Sequence, residues 1–125
     1  MAKYNGRASC SELIEIIENN KYIIERVEED DEKCIVDFRH PKIKVMQPVS
    51  YFLSSVFLDR KTGFIETTVR SKVDSFKELY LDYCCEDSKH VCRPHADMEN
   101  GILSVEAKFK EDSLKKFSNL LDELR

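Results

Sequence analysis

Near its C-terminal end the chain alternates. Leu103, Val105, Ala107 and Phe109 are interleaved with Ser104, Glu106, Lys108 and Lys110, the period-2 pattern of a strand with one buried face. Directly afterwards Leu114, Phe117, Leu121 and Leu124 recur at steps of three and four, which predicts a helix with one apolar stripe. Asp112 is its expected N-cap, with Glu111 and Asp112 at the positive end of the helix dipole and Arg125 at the negative end. Two one-sided elements in succession require a common core.

The same reading carries back along the chain. Residues 1–8 form a loose start. Ser9 and Glu12 have capping-box spacing ahead of Leu13, Ile14, Ile16 and Ile17, which predicts a short helix ending at Asn19 or Asn20. YIIERV (22–27) and CIVDF (34–38) read as two strands around the acidic tract Glu28 to Lys33. That tract lacks the spaced oxygens and central glycine of a calcium loop, so it is expected to be a solvated turn. IKVM (43–46) reads as a short strand stopped before Pro48. YFLSSVFL (51–58) and FIETTV (64–69) face each other across a five-residue turn that ends in Gly63. Ser75 with Glu78 opens a further helix carrying Phe76, Leu79, Tyr80 and Tyr83 and ending near Glu86. HVCRPHADM (90–98) reads as an edge strand or a bulge rather than a central strand on account of Pro94, and Asn100-Gly101 turns it into the closing strand.

The element order is therefore α, three to five strands, α, two strands, α. Short turns between strands impose antiparallel pairing, so the expected fold is α+β, an antiparallel sheet with helices packed on one face, in a single domain over 1–125. One strand does not fit a one-sided sheet. Tyr51, Leu53 and Phe57 fall on one of its faces, while Phe52, Val56 and Leu58 fall on the other. A strand apolar on both faces is either covered twice or offered to a partner. Tyr51, Phe52, Val56 and Leu58 are accordingly the expected partner interface.

Composition narrows the classes of function. The chain has 125 residues, 42% hydrophobic and 35% charged, enough for one proper core. No apolar run reaches the roughly 18 residues that a membrane span needs, so no membrane association is expected. A net charge of −4 argues against a nucleic-acid binder that works by neutralising phosphates. MAKYNGRASC carries no apolar leader, and five cysteines, two of them adjacent, make a poor disulfide framework; reduced thiols in a cytoplasmic protein are expected.

The chemistry is sparse. Gly6, Gly63 and Gly101 lie in a tail and two turns, which leaves no phosphate-cradling loop. Neither a G-x-S-x-G elbow nor an H-E-x-x-H helix occurs. No catalytic residue and no cofactor is expected, and His40 before Pro41 reads as a turn residue. One constellation could hold zinc or act as a thiol switch: Cys84, Cys85, His90, Cys92 and His95. Its spacing matches no common knuckle, and Cys92 and His95 share a strand face only if Pro94 introduces a bulge.

The order of elements resembles the YbjN family, bacterial proteins with a fold like type III secretion chaperones. The resemblance runs from SELIEIIENNKYIIERVEEDDEKCIVDF through SFKELYLDYC to HADMENGILSVEAKF and the closing LLDEL. It implies a non-enzymatic role, binding a partner protein or a second copy of itself, chaperone-like or regulatory. The cysteine-rich 84–95 segment and the residues near 43–49 depart from the family pattern.

Overall fold

A computed structural model describes residues 9–44, 52–72, 90–97 and 101–125. Helix α1 is Cys10–Asn19, followed by strands β1 (Ile23–Glu29), β2 (Lys33–Arg39), β3 (Ser54–Asp59), β4 (Ile65–Lys72), β5 (His90–Asp97) and β6 (Ile102–Phe109), and then by helix α2, Ser113–Leu124. The six strands form one sheet in the order β1-β2-β3-β4-β6-β5, and every neighbouring pair is antiparallel. The expected α+β fold is thus realised, with four strands among the described residues before the expected middle helix. That helix, 74–86, lies outside the described residues, as do the last two positions of the 43–46 strand. Ile43 and Lys44 belong to no strand.

Alternation along the strands builds one apolar face. Cys34, Val36 and Phe38 of β2, Val56 and Leu58 of β3, Ile65 and Val69 of β4 and Leu103, Val105, Ala107 and Phe109 of β6 are all buried in one cluster. Leu13 and Ile17 of α1 and Phe117, Leu120, Leu121 and Leu124 of α2 complete it, so both helices cover the same face of the sheet. Leu121 is fully buried there. Leu121→Ala is expected to lower unfolding free energy by roughly 2–5 kcal/mol in urea titration, the usual result of emptying a leucine site. A loss under about half a kcal/mol would mean that α2 is not packed as described.

The helix ends differ in detail from the sequence expectations. Ser9 is the N-cap of α1, but its hydroxyl pairs with that of Ser11 at 2.8 Å and makes no cap hydrogen bond, so the capping box with Glu12 is not formed. The other end of α1 closes in a Schellman motif. Tyr22 N–H donates to Ile17 O and Lys21 N–H to Glu18 O, with Lys21 in the left-handed region at φ 73°. Asn20, the C-cap, adds Nδ2–H to Ile16 O at 2.9 Å. Asp112 does precede α2, yet it is left-handed at φ 51° and makes no side-chain cap; Ser113 Oγ instead donates to Phe109 O at 2.9 Å.

The acidic tract is a turn, as expected, and it is narrower than the sequence suggests because both strands run into it. Asp30 Oδ1 accepts from the backbone N–H of Glu32 (2.8 Å) and of Lys33 (2.9 Å), and these two hydrogen bonds hold its carboxyl below the usual carboxylate range. The neighbouring β3–β4 turn repeats the device, with Asp59 Oδ1 accepting from Lys61 and Thr62, and Gly63 takes the φ of 79°. Arg60 joins the two tips through its N–H to Glu32 O and its guanidinium to Asp30 O, each at 2.8 Å. The tips are charged but internally matched: Arg60 meets Glu29 at 3.2 Å, Lys61 meets Glu32 at 3.6 Å and Lys33 meets Asp30 at 3.8 Å.

One covalent feature overturns an expectation. Cys10 at the start of α1 and Cys34 on β2 form a disulfide, with Cα atoms 5.8 Å apart. The odd cysteine count spoke against a full framework of bridges, but it could not speak against a single pair. The two residues meet because α1 lies across the first hairpin of the sheet, a relation that spacing in sequence does not contain.

Candidate functional site

The expected partner residues divide between core and surface. Val56 and Leu58 are 1% and 0% exposed and belong to the core beneath the helices. Phe52 is half-buried, and Tyr51 lies outside the described residues. The regular part of β3 starts only at Ser54, so of the large apolar residues between 54 and 59 only Phe57 points away from the core; it is 37% exposed. Register then defines the open face. Ile35, Phe57, Glu66 and Lys108 lie in one row across β2, β3, β4 and β6, and Asp37, Ser55, Thr68 and Glu106 lie in the next.

These two rows floor a shallow concavity of about 390 Å³ lined by Ile35, Ser55, Phe57, Glu66, Thr68, Glu106 and Lys108. The apolar half, Ile35 beside Phe57, sits at one side, and the charged half, Glu66 with Lys108 and Glu106, sits at the other. Glu66 and Lys108 are cross-strand partners, yet among the described residues neither they nor Glu106 makes an ion pair or side-chain hydrogen bond. This contrasts with the turn tips, where the charges are matched. At the far end of the same face Ile102 is buried. There Arg70 lies across the strands, donating to Leu53 O at 3.0 Å and to Ser104 Oγ at 3.3 Å. The open area is therefore confined to the end holding Phe57 and Lys108. Phe64, 40% exposed, extends it toward the β3–β4 turn, with the Lys110 ammonium 6.0 Å from its ring centre.

On the opposite, covered face one polar site escaped the sequence reading. His40 does open a turn, its carbonyl accepting from Ile43 N–H at 3.0 Å, but its side chain is wholly buried. Its Nδ1 accepts from the backbone N–H of Lys42 at 3.0 Å, and its Nε2 lies 2.8 Å from Leu124 O, which can only accept. The ring is therefore the neutral Nε2–H tautomer. Tyr22, whose ring meets His40 edge-on at 5.3 Å, donates its hydroxyl to Leu121 O at 3.0 Å. Together the two side chains satisfy carbonyls of the last turn of α2, groups that a helix cannot pair internally. His40 could have been suspected only from its place at a strand end, because its partner is 84 residues away.

This arrangement sets a pH dependence. Burial holds the His40 pKa below 6.5, the Leu124 carbonyl opposes that shift and Lys42 adds to it. Between the lowered folded value and 6.5 the unfolded chain binds the extra proton and the folded one does not, so stability falls as pH drops below about 6.5. Tyr22 acts at the other extreme. Burial raises its pKa, and stability falls as pH rises beyond 10. Urea midpoints measured from pH 5 to 8 are expected to decline on the acid side, and His40→Gln is expected to flatten that limb. An unchanged limb in the variant would assign it to other groups.

The zinc or thiol constellation is only partly within view. Cys84 and Cys85 lie outside the described residues. His90, Cys92 and His95 lie on β5, with His95 exposed. The β5–β6 register is unbroken from His90 to Asp97, so no bulge at Pro94 brings positions 92 and 95 to one face. Pro94 does sit on an edge strand, as expected. Among the described residues no group of three or more histidine, cysteine or acidic side chains is placed to hold a metal. Among them, too, no helix is long and apolar enough to cross a membrane.

No protein-family profile, no curated protein and no solved structure matches the chain.

Proposed function

We propose that this chain is a non-enzymatic protein-binding module, chaperone-like or regulatory, that works as a homodimer through the open end of its sheet. The observation that supports the reading is the concavity beside Phe57. An exposed aromatic and an aliphatic neighbour adjoin two carboxylates and an ammonium that have no ionic partner among the described residues. Desolvating such a surface is favourable only against a partner that brings apolar area and compensating charge. Charges of both signs on one face suit an isologous contact, in which each copy offers Lys108 to the other's Glu66 or Glu106. The likeness of element order to the YbjN family points the same way. A cytoplasmic location is part of this reading, and in that compartment the Cys10–Cys34 bond would exchange with thiols rather than stand as a permanent staple.

Light scattering coupled to gel filtration tests the dimer. The native chain is expected to run at twice its 14.7 kDa mass at micromolar concentration, and Phe57→Lys is expected to run as a folded monomer. A strict monomer for the native chain removes the dimer. Capture experiments with the native and Phe57→Lys chains then test partner binding separately, because a different partner lost on the same replacement would keep the face as the site.

A further inference from the structure

We propose that the Cys10–Cys34 disulfide is a redox latch whose reduction frees the first turns of α1 from the sheet. The two ends of α1 are held by unlike means. At its C-terminal end the Schellman motif passes into Tyr22, which is buried and bonded through its hydroxyl to Leu121 O, and Asn20 Nδ2 reaches Ser118 Oγ at 3.5 Å. At its N-terminal end Ser9 supplies no side-chain cap, and the first backbone contact is a long one, Leu13 N–H to Ser9 O at 3.4 Å. The disulfide is a covalent attachment at that end, and Leu13 is the first fully buried apolar side chain after it.

A helix of ten residues is too short to persist without tertiary support, since isolated helices below about 12–15 residues are marginal in water. With the bond cut, the first turns keep only non-covalent packing, chiefly the buried Leu13 with the partly buried Ile14 and Ile16 against the core. Both sulfurs belong to buried residues, Cys10 at 3% and Cys34 at 0% exposed. Attack by an external thiol therefore requires those turns to lift first, which makes the bond slow to reduce and makes the reduced state the more open one. The reductant is a dithiol. Its thiolate attacks one sulfur, the S–S bond breaks, and a mixed disulfide forms while the other cysteine leaves as a thiolate and takes up a proton. The second thiol of the reductant then displaces the first cysteine, which is protonated in turn. The reductant departs as its own disulfide, and two electrons have passed to the Cys10–Cys34 pair.

Lifting the first turns uncovers Cys34 and Val36 on the covered face of β2, both 0% exposed in the bonded state. An apolar strip appears beside an edge strand, and the latch thereby couples thiol status to exposed binding area. It requires neither a dimer nor the concavity near Phe57, so it stands or falls independently of the proposed partner site.

Amide hydrogen exchange read by mass spectrometry tests the latch in native protein with and without dithiothreitol. Exchange over 10–19 relative to that over β6 is expected to accelerate about ten-fold or more on reduction. The Cys10→Ser/Cys34→Ser double variant is expected to show the reduced pattern whether or not dithiothreitol is present. Non-reducing peptide mapping is expected to recover the peptides of Cys10 and Cys34 joined. Failure to find that linkage overturns the proposal. So does a common acceleration of α1 and β6, which would make the bond a global staple, and so does an unchanged ratio.

Discussion

Lysine at Val56 is expected to unfold the domain, whereas lysine at Phe57, the next residue, leaves it folded. The two positions are adjacent in sequence and stand on opposite faces of β3. Val56 is 1% exposed and belongs to the main core cluster. An ammonium placed there has no anionic partner, and an unpaired buried charge costs several kcal/mol even after the group shifts its pKa to escape ionisation. Overfilling the valine site adds strain. The sum exceeds about 4 kcal/mol, a large part of the 5–15 kcal/mol that holds an ordinary domain together. Phe57 is 37% exposed on the open face, where a lysine stem can lie along Ile35 and keep its head in water. Far-UV circular dichroism and dispersion of amide proton resonances read the contrast directly. A folded Val56→Lys chain would contradict the side assignment of β3, and with it the choice of Phe57 as the exposed anchor.

Phe38→Ala is expected to lower unfolding free energy by about 3–5 kcal/mol, as other emptied aromatic sites do. Phe38 has no exposed surface and stands in the middle of a row of aromatic rings. It meets Tyr22 edge-on at 5.6 Å on one side and Phe117 edge-on at 6.1 Å on the other. Tyr22 leads on to His40, and both bond to α2 carbonyls, so this row ties the sheet to α2. Removing the central ring leaves a cavity and loosens the two side chains that hold the last turn of α2. Urea unfolding gives the magnitude. A loss below about 1 kcal/mol would mean that Leu121 and Phe117 collapse into the space and that the row is not rigid. A variant that keeps the native pH dependence while losing stability would separate the cavity from the polar clamp.

Much of this scaffold can be read from the chain before it folds. The alternation over Leu103–Phe109 and the three-and-four spacing over Leu114–Leu124 gave β6 and α2 almost to the residue, and both turned out to face one core. The first hairpin was visible for the same reason, although its strands reach further into the acidic turn than composition suggested, because Asp30 caps a tighter turn with its own carboxylate. Where the local signal was double, it misled. The run 51–58 looks apolar on both sides, but the strand starts at Ser54, and only the position of the helices decides that Val56 and Leu58 go inward and Phe57 outward. Serine with glutamate three residues on announced a capping box at Ser9 that the chain does not make; Ser9 bonds to Ser11 instead.

The sequence by itself determined the class of fold, the order of the described elements and the one-sidedness of the helices and most strands, because these follow from periodicity within a few residues. The tertiary structure alone decided which face of β3 is open, that His40 is buried as a neutral clamp on Leu124, and that Cys10 meets Cys34. Each of these depends on contacts between residues far apart in the chain, 84 positions for His40 and 24 for the cysteines. Such contacts exist only once antiparallel pairing and the packing of α1 and α2 have brought the elements together. Local pattern can say that a side chain needs burial or a partner. Only the packed sheet says which partner it finds.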